Sequence, residues 1–78
     1  MKLPQTSGTT RHWDAGDAGC GRLIMGLKHE VDHLRAGETL SVIARDPAAH
    51  MDLDYWCHLT GHALVSANHP NYVLRKKG

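Results

Sequence analysis

The strongest constraint on this chain is one apolar stripe. Set at about 100° per residue, Cys20, Leu23, Ile24, Leu27, Val31 and Leu34 share one side of a helix, while Lys28, His29, Asp32 and His33 fall on other faces. A helix is therefore expected over Gly21–Arg35, and Gly37 suits a left-handed C-terminal cap. Such a helix must bury its stripe against something else. On one side lies Thr9–Asp14, short, with two β-branched residues and a tryptophan, which reads as a strand. The Gly- and Asp-rich stretch Ala15–Gly19 follows as a loop. On the other side, Thr39–Arg45 reads as a second strand, with Leu40, Val42 and Ala44 pointing one way and Thr39, Ser41 and Ile43 the other.

The second half repeats the logic. Asp46 is expected to cap a helix with Pro47 in its first turn, and Gly61 to end it after Thr60. One stripe of that helix carries Ala49, Leu53, Trp56, Cys57 and Thr60, and another Met51, Tyr55, Leu59 and His62. A break near Asp52 is compatible with the pattern, since Asp52 can cap a new turn. Ala63–Ala67 and Tyr72–Arg75 flank the turn residues Asn68-His69-Pro70-Asn71 and read as a hairpin. The order β-α-β-α-β-β implies right-handed crossovers and a parallel pair. The economical packing is an α/β two-layer sandwich, a mixed four-stranded sheet with both helices on one face.

Seventy-eight residues make one domain, expected over 9–78, behind a flexible lead-in over 1–8. A chain of this length buries only about 60% of its unfolded surface, so the core is small. Nine Lys and Arg against eight Asp and Glu are scattered apart from Arg75-Lys76-Lys77, which is not the basic face of a nucleic-acid binder. No apolar run suggests a secretory signal or a membrane span, so a cytoplasmic location is expected, with both thiols reduced. Cys20 and Cys57 show no CxxC or clustered Cys/His spacing, so neither a disulfide framework nor a zinc module is indicated.

Cys20 stands where the first helix begins, between Gly19 and Gly21 and beside Arg22. A helix N-terminus carries about half a positive charge and unpaired N–H groups, which lower a thiol's pKa and raise its reactivity. The residues leave two readings open, a working thiolate or a small buried hydrophobe. Asp17 would raise the thiol's pKa, and Arg22 would lower it. Cys57, on the inward stripe beside Trp56, reads as core, with a resolving thiol for Cys20 as the sharper alternative. The i,i+4 pairs His29/His33 and His58/His62 have metal-binding spacing but too few shared ligands, and read as solvent-facing. The Met51/Tyr55/Leu59 stripe leans towards a partial core role, with a partner-docking surface as the other reading.

The stretch from Trp13 to Lys76 resembles the TusA/SirA-like sulfur-carrier family. The likeness rests on a cysteine at the start of helix one, on Leu34-x-x-Gly37-Glu38-Thr39-Leu40, and on Ala44-Arg45-Asp46-Pro47-Ala48. Its most specific part is Asp52-Leu53-x-x-Trp56-Cys57 followed by Gly61-His62-x-Leu64. The resemblance implies a two-layer sandwich that carries sulfane sulfur as a persulfide on Cys20 between a donor and an acceptor protein. It implies no cofactor, no metal, no membrane and no direct nucleic-acid partner. The family motif Leu-Asp-x-Arg-Gly-Leu-x-Cys-Pro-x-Pro stands here as Trp13-Asp14-Ala15-Gly16-Asp17-Ala18-Gly19-Cys20-Gly21-Arg22-Leu23. Both prolines are replaced, by Gly21 and Leu23, which is expected to loosen the turn around the sulfur. The alternative is a non-catalytic interaction or redox-regulatory module on the same fold.

Overall fold

A computed structural model describes residues 10–78 and, at Cys20, the backbone alone. The lead-in expected over 1–8, and the first residue of the expected first strand, lie outside the described residues. The elements are β1 (Thr10–Gly16), α1 (Cys20–Asp32), β2 (Thr39–Ala44), α2 (Ala49–Thr60), β3 (Ala63–Asn68) and β4 (Asn71–Arg75). They form one four-stranded sheet in the order β1-β2-β4-β3. β1 runs parallel to β2, and β4 is antiparallel to both β2 and β3, so the sheet is mixed as expected.

The stripes read from the sequence meet in one core. Leu23, Leu27, Val31 and Leu34 from the α1 segment and Ala49, Leu53, Trp56 and Cys57 from α2 are buried. They pack with Leu40, Val42 and Ala44 of β2 and Tyr72 and Leu74 of β4. The strand residues alternate as the pleat requires: Leu40 pairs with Leu74 and Val42 with Tyr72 beneath the helices, while Ser41 and Val73 face away. No helix is long and apolar enough to cross a membrane among the described residues.

Several boundaries differ from expectation for local reasons. β1 runs on to Gly16 because a bulge between Asp14 and Gly16 restores pairing with Ala44. α1 ends at Asp32 with His33 as its cap, and Gly37 is not that cap. Instead, the Lys76 ammonium donates to the Leu34 carbonyl, and Gly37, at φ +86°, donates its N–H to the Lys76 carbonyl. α2 starts at Ala49, later than expected, because Asp46 closes a separate turn. Its Oδ2 accepts the Ala48 N–H at 3.0 Å, and its carbonyl accepts the Ala49 N–H. α2 is continuous through Asp52. It ends where expected, with Gly61 left-handed at φ +87° and its N–H on the Cys57 carbonyl.

The lean of Met51, Tyr55 and Leu59 towards a partial core role is corrected: they stand 77%, 67% and 66% exposed, which leaves the docking-surface reading open. The Leu53/Trp56 stripe alone meets the sheet, and α1 covers too little of α2 to bury a second face.

Candidate functional site

Both helices begin at the end of the sandwich where β1 and β2 finish. The turn leaving β1 is tied there to the turn leaving β2. Gly16 sits at φ +61°, a left-handed conformation that glycine adopts without strain. Its N–H donates to Asp14 Oδ1 at 2.8 Å. The Arg45 guanidinium donates to both Asp14 oxygens, at 3.2 and 3.5 Å, and the Arg45 N–H donates to the Gly16 carbonyl at 3.0 Å. The Gly16 N–H, and then the Arg45 guanidinium, hold the Asp14 carboxyl below its ordinary range. The expected Ala15–Gly19 loop is therefore shorter: only Asp17, Ala18 and Gly19 join the tied strand end to α1.

Gly19 is the N-cap, extended at φ −81°, and its carbonyl accepts the Leu23 N–H at 2.8 Å. Cys20 is the first helical residue. Gly19 supplies no side-chain cap, and the first turn contains no acid. The N–H groups of Cys20, Gly21 and Arg22 precede the first intrahelical bond, so the positive end of the helix is left to act on whatever Cys20 carries. Gly21 and Arg22 are exposed, and a side chain built at Gly19 or Gly21 would meet nothing within 4 Å.

A contact that sequence reading missed fixes the height of this end. The half-buried indole of Trp13 lies directly on Gly26 in the middle of α1, where any Cβ would overlap the ring. On the same flank Arg11 Nε donates to Glu30 Oε1 at 2.5 Å. The available signal was Gly26 itself, since a glycine inside a helical pattern marks a close approach.

Cys57 is where its stripe predicts, buried in the core. Burial first, and the Asp54 charge second, push its thiol up to about 11. The rings of His29 and His33 lie 4.7 Å apart, with a His33 ring nitrogen on the His29 carbonyl. His62 stacks on Trp56 at 5.4 Å, and its Nδ1 accepts the Lys77 N–H. Neither pair gathers a third His, Cys, Asp or Glu among the described residues.

Residues 13–76 match the family model described as sulfurtransferase TusA. The sulfur carrier proteins TusA of Pseudomonas putida strains F1, GB-1 and KT2440 are each 35% identical to this chain over 68 residues. Those alignments take in 82% of this chain and 85% of theirs. The matched span opens on Trp13, contains Cys20 and both helices, and ends in the Lys76 backbone pairing beside Gly37. With the family model covering most of its length and curated relatives agreeing, the chain belongs to the TusA family.

Proposed function

We propose that this protein is a sulfur carrier whose working atom is the Cys20 sulfur. The carrying observation is the family match across residues 13–76, with Cys20 as the first residue of α1. The Cys20 thiolate attacks the outer sulfur of a donor protein's persulfide. The donor's S–S bond breaks, a new S–S bond forms on Cys20, and the donor leaves as a thiolate. The reverse geometry then delivers that sulfur to an acceptor thiolate. Each exchange conserves electrons, so it needs no oxidant, cofactor or metal, and its rate depends on thiolate fraction and access.

The surrounding residues have supporting roles in this reading. Gly19 and Gly21 leave room for two protein surfaces to reach one sulfur in turn, and Arg22 adds positive charge beside the thiolate. The relay operates in the cytoplasm, where thiols stay reduced. The test is the mass of the intact protein after incubation with polysulfide or with a persulfidated cysteine desulfurase. Wild type and Cys57→Ser should each gain one sulfur atom, and Cys20→Ser none. An adduct that persists in Cys20→Ser would defeat the assignment and leave the fold as an interaction or redox-sensing module.

A further inference from the structure

We infer that His62 is a pH-operated latch on the C-terminal segment: the neutral ring holds Lys77 against the end of α2, and proton uptake releases the chain from Lys77 onward. The latch lies at the end of the sandwich opposite Cys20, where β2 begins and β4 finishes, and it stands apart from the carrier reading. Two neighbouring lysines are held there in different ways. The Lys76 N–H donates to the Glu38 carbonyl at 2.9 Å, its carbonyl accepts the Gly37 N–H at 2.9 Å, and its ammonium donates to the Leu34 carbonyl at 2.7 Å. None of those partners titrates near neutral pH. Lys77 has one hydrogen bond among the described residues, from its N–H to His62 Nδ1 at 3.0 Å.

A ring nitrogen that accepts from a backbone N–H carries no proton, so His62 is neutral with its hydrogen on Nε2. Proton uptake turns Nδ1 into a donor facing another donor, and the bond is lost. The half-buried ring lies on Trp56 of α2, with centroids 5.4 Å apart. The Lys77 side chain folds over Gly61, its Cδ 3.3 Å and its Nζ 3.7 Å from where a Cβ would stand, so its cation lies beside the negative end of α2. The charges acting on the ring are Lys77 and Lys76 on the segment and Asp32 at the end of α1. In the last turn of α2 the titratable side chain is His58, which is exposed; β3 brings no charge, and Arg75 of β4 sits opposite Ala63. Burial first, then the two lysines, hold His62 below its ordinary 6.5, against the pull of Asp32. The latch is therefore closed above pH 6.5 and opens as pH falls through the folded value.

The test follows the backbone amides and imidazole nitrogens of the full chain by NMR, from about pH 8 down to the acid edge of folding. At the alkaline end His62 should show the Nε2–H tautomer. As His62 titrates, the Lys77 amide should shift with the same midpoint. Its exchange with solvent, corrected for the ordinary pH dependence of exchange, should rise at least about tenfold. The Lys76 amide should not follow. In His62→Asn, whose Oδ1 can accept at the place of Nδ1 but takes up no proton, the Lys77 amide should hold its shift throughout. Lys77→Gln removes a cation facing the ring and should raise the His62 midpoint. An Nδ1–H tautomer at alkaline pH, a Lys77 amide that ignores His62, or one that shifts equally in His62→Asn overturns the inference. So does a Lys76 amide that moves together with Lys77, because the whole end of the sandwich would then be loosening.

Discussion

The two helices start at the same end of the sandwich and are finished there in opposite ways. Ahead of α2, Asp46 takes up the Ala48 and Ala49 N–H groups, and Asp52 adds a negative charge in the first turn. The chain thus answers the positive end of α2 with its own carboxylates. Ahead of α1, Asp17 stands two residues before the N-cap as Asp46 does, but no described hydrogen bond ties it to the helix start; the cap is Gly19, with no side-chain bond, and the first turn has no acid. The first helical residue is Ala49 in α2 and Cys20 in α1. The two cysteines repeat the contrast. Cys57 lies deep in α2, buried, with its thiol held neutral, whereas Cys20 begins α1. Burial in mid-helix makes Cys57 a core residue, and the proposal that Cys20 is the working thiol rests on its place at the helix start.

The most direct way to break that contrast is to let both thiols compete for one alkylating reagent. With its thiol at about 11, Cys57 is ionised at pH 8 to roughly one part in a thousand. Cys20 should therefore be labelled at least ~100-fold faster, read by peptide mass spectrometry over time. Labelling of Cys57 first, or at a similar rate, would remove the distinction. The same shift gives a pH dependence. Folding raises the Cys57 pKa from an ordinary 9.0 to about 11, so the folded state holds the proton more tightly. Its contribution to stability is whole below pH 9 and is lost as pH climbs through about 11. The denaturant midpoint of wild type should fall over that window relative to Cys57→Ala.

The next test concerns what holds α1 at its height. Gly26→Ala replaces a poor helix former with the best one, a gain of about 1 kcal/mol in an open helix. Here the added methyl meets the Trp13 indole. Overpacking of this kind costs about 1–3 kcal/mol, so a net loss of up to about 2 kcal/mol in urea unfolding is expected. In a Trp13→Ala background the obstacle is gone, and Gly26→Ala should become stabilising. A substitution that stabilises both backgrounds would show that the indole does not set the position of α1.

Trp13 on Gly26 also marks the limit of what the sequence makes legible. The element order and the two inward stripes are visible because a period of 3.6 or 2 shows within a few residues. Leu23, Leu27 and Val31, like Leu53, Trp56 and Cys57, are buried where that period puts them. The contacts that shape the Cys20 end join residues far apart in the chain, such as Asp14 to Arg45 and Trp13 to Gly26. No local pattern encodes such pairs. The extension of β1 to Gly16 depends on a bulge that only the partner strand reveals. The Met51 stripe shows a related ambiguity: its period announces an apolar face, but what covers that face depends on how far α1 reaches across α2.

The smallest expected effect, and the one that sharpens the comparison most finely, comes from Asp14→Asn. The Asp14 carboxylate accepts from the Gly16 N–H and from the Arg45 guanidinium, which links the strand end before α1 to the strand end before α2. Both groups are open to water, so the direct loss of stability should be small. Its pH signature identifies it. Folding lowers the Asp14 pKa below its ordinary 3.8, so the stabilisation is present above that pH and disappears as pH falls through the folded value. The difference in thermal midpoint between wild type and Asp14→Asn should therefore be present at pH 7 and shrink towards zero in acid. Asparagine keeps an acceptor for the Gly16 N–H but loses the charge facing Arg45. If the difference at pH 7 is insensitive to salt, the backbone bond to Gly16 holds the turn and Arg45 merely lies alongside. If salt removes it, the ion pair between Asp14 and Arg45 is what ties the two strand ends together.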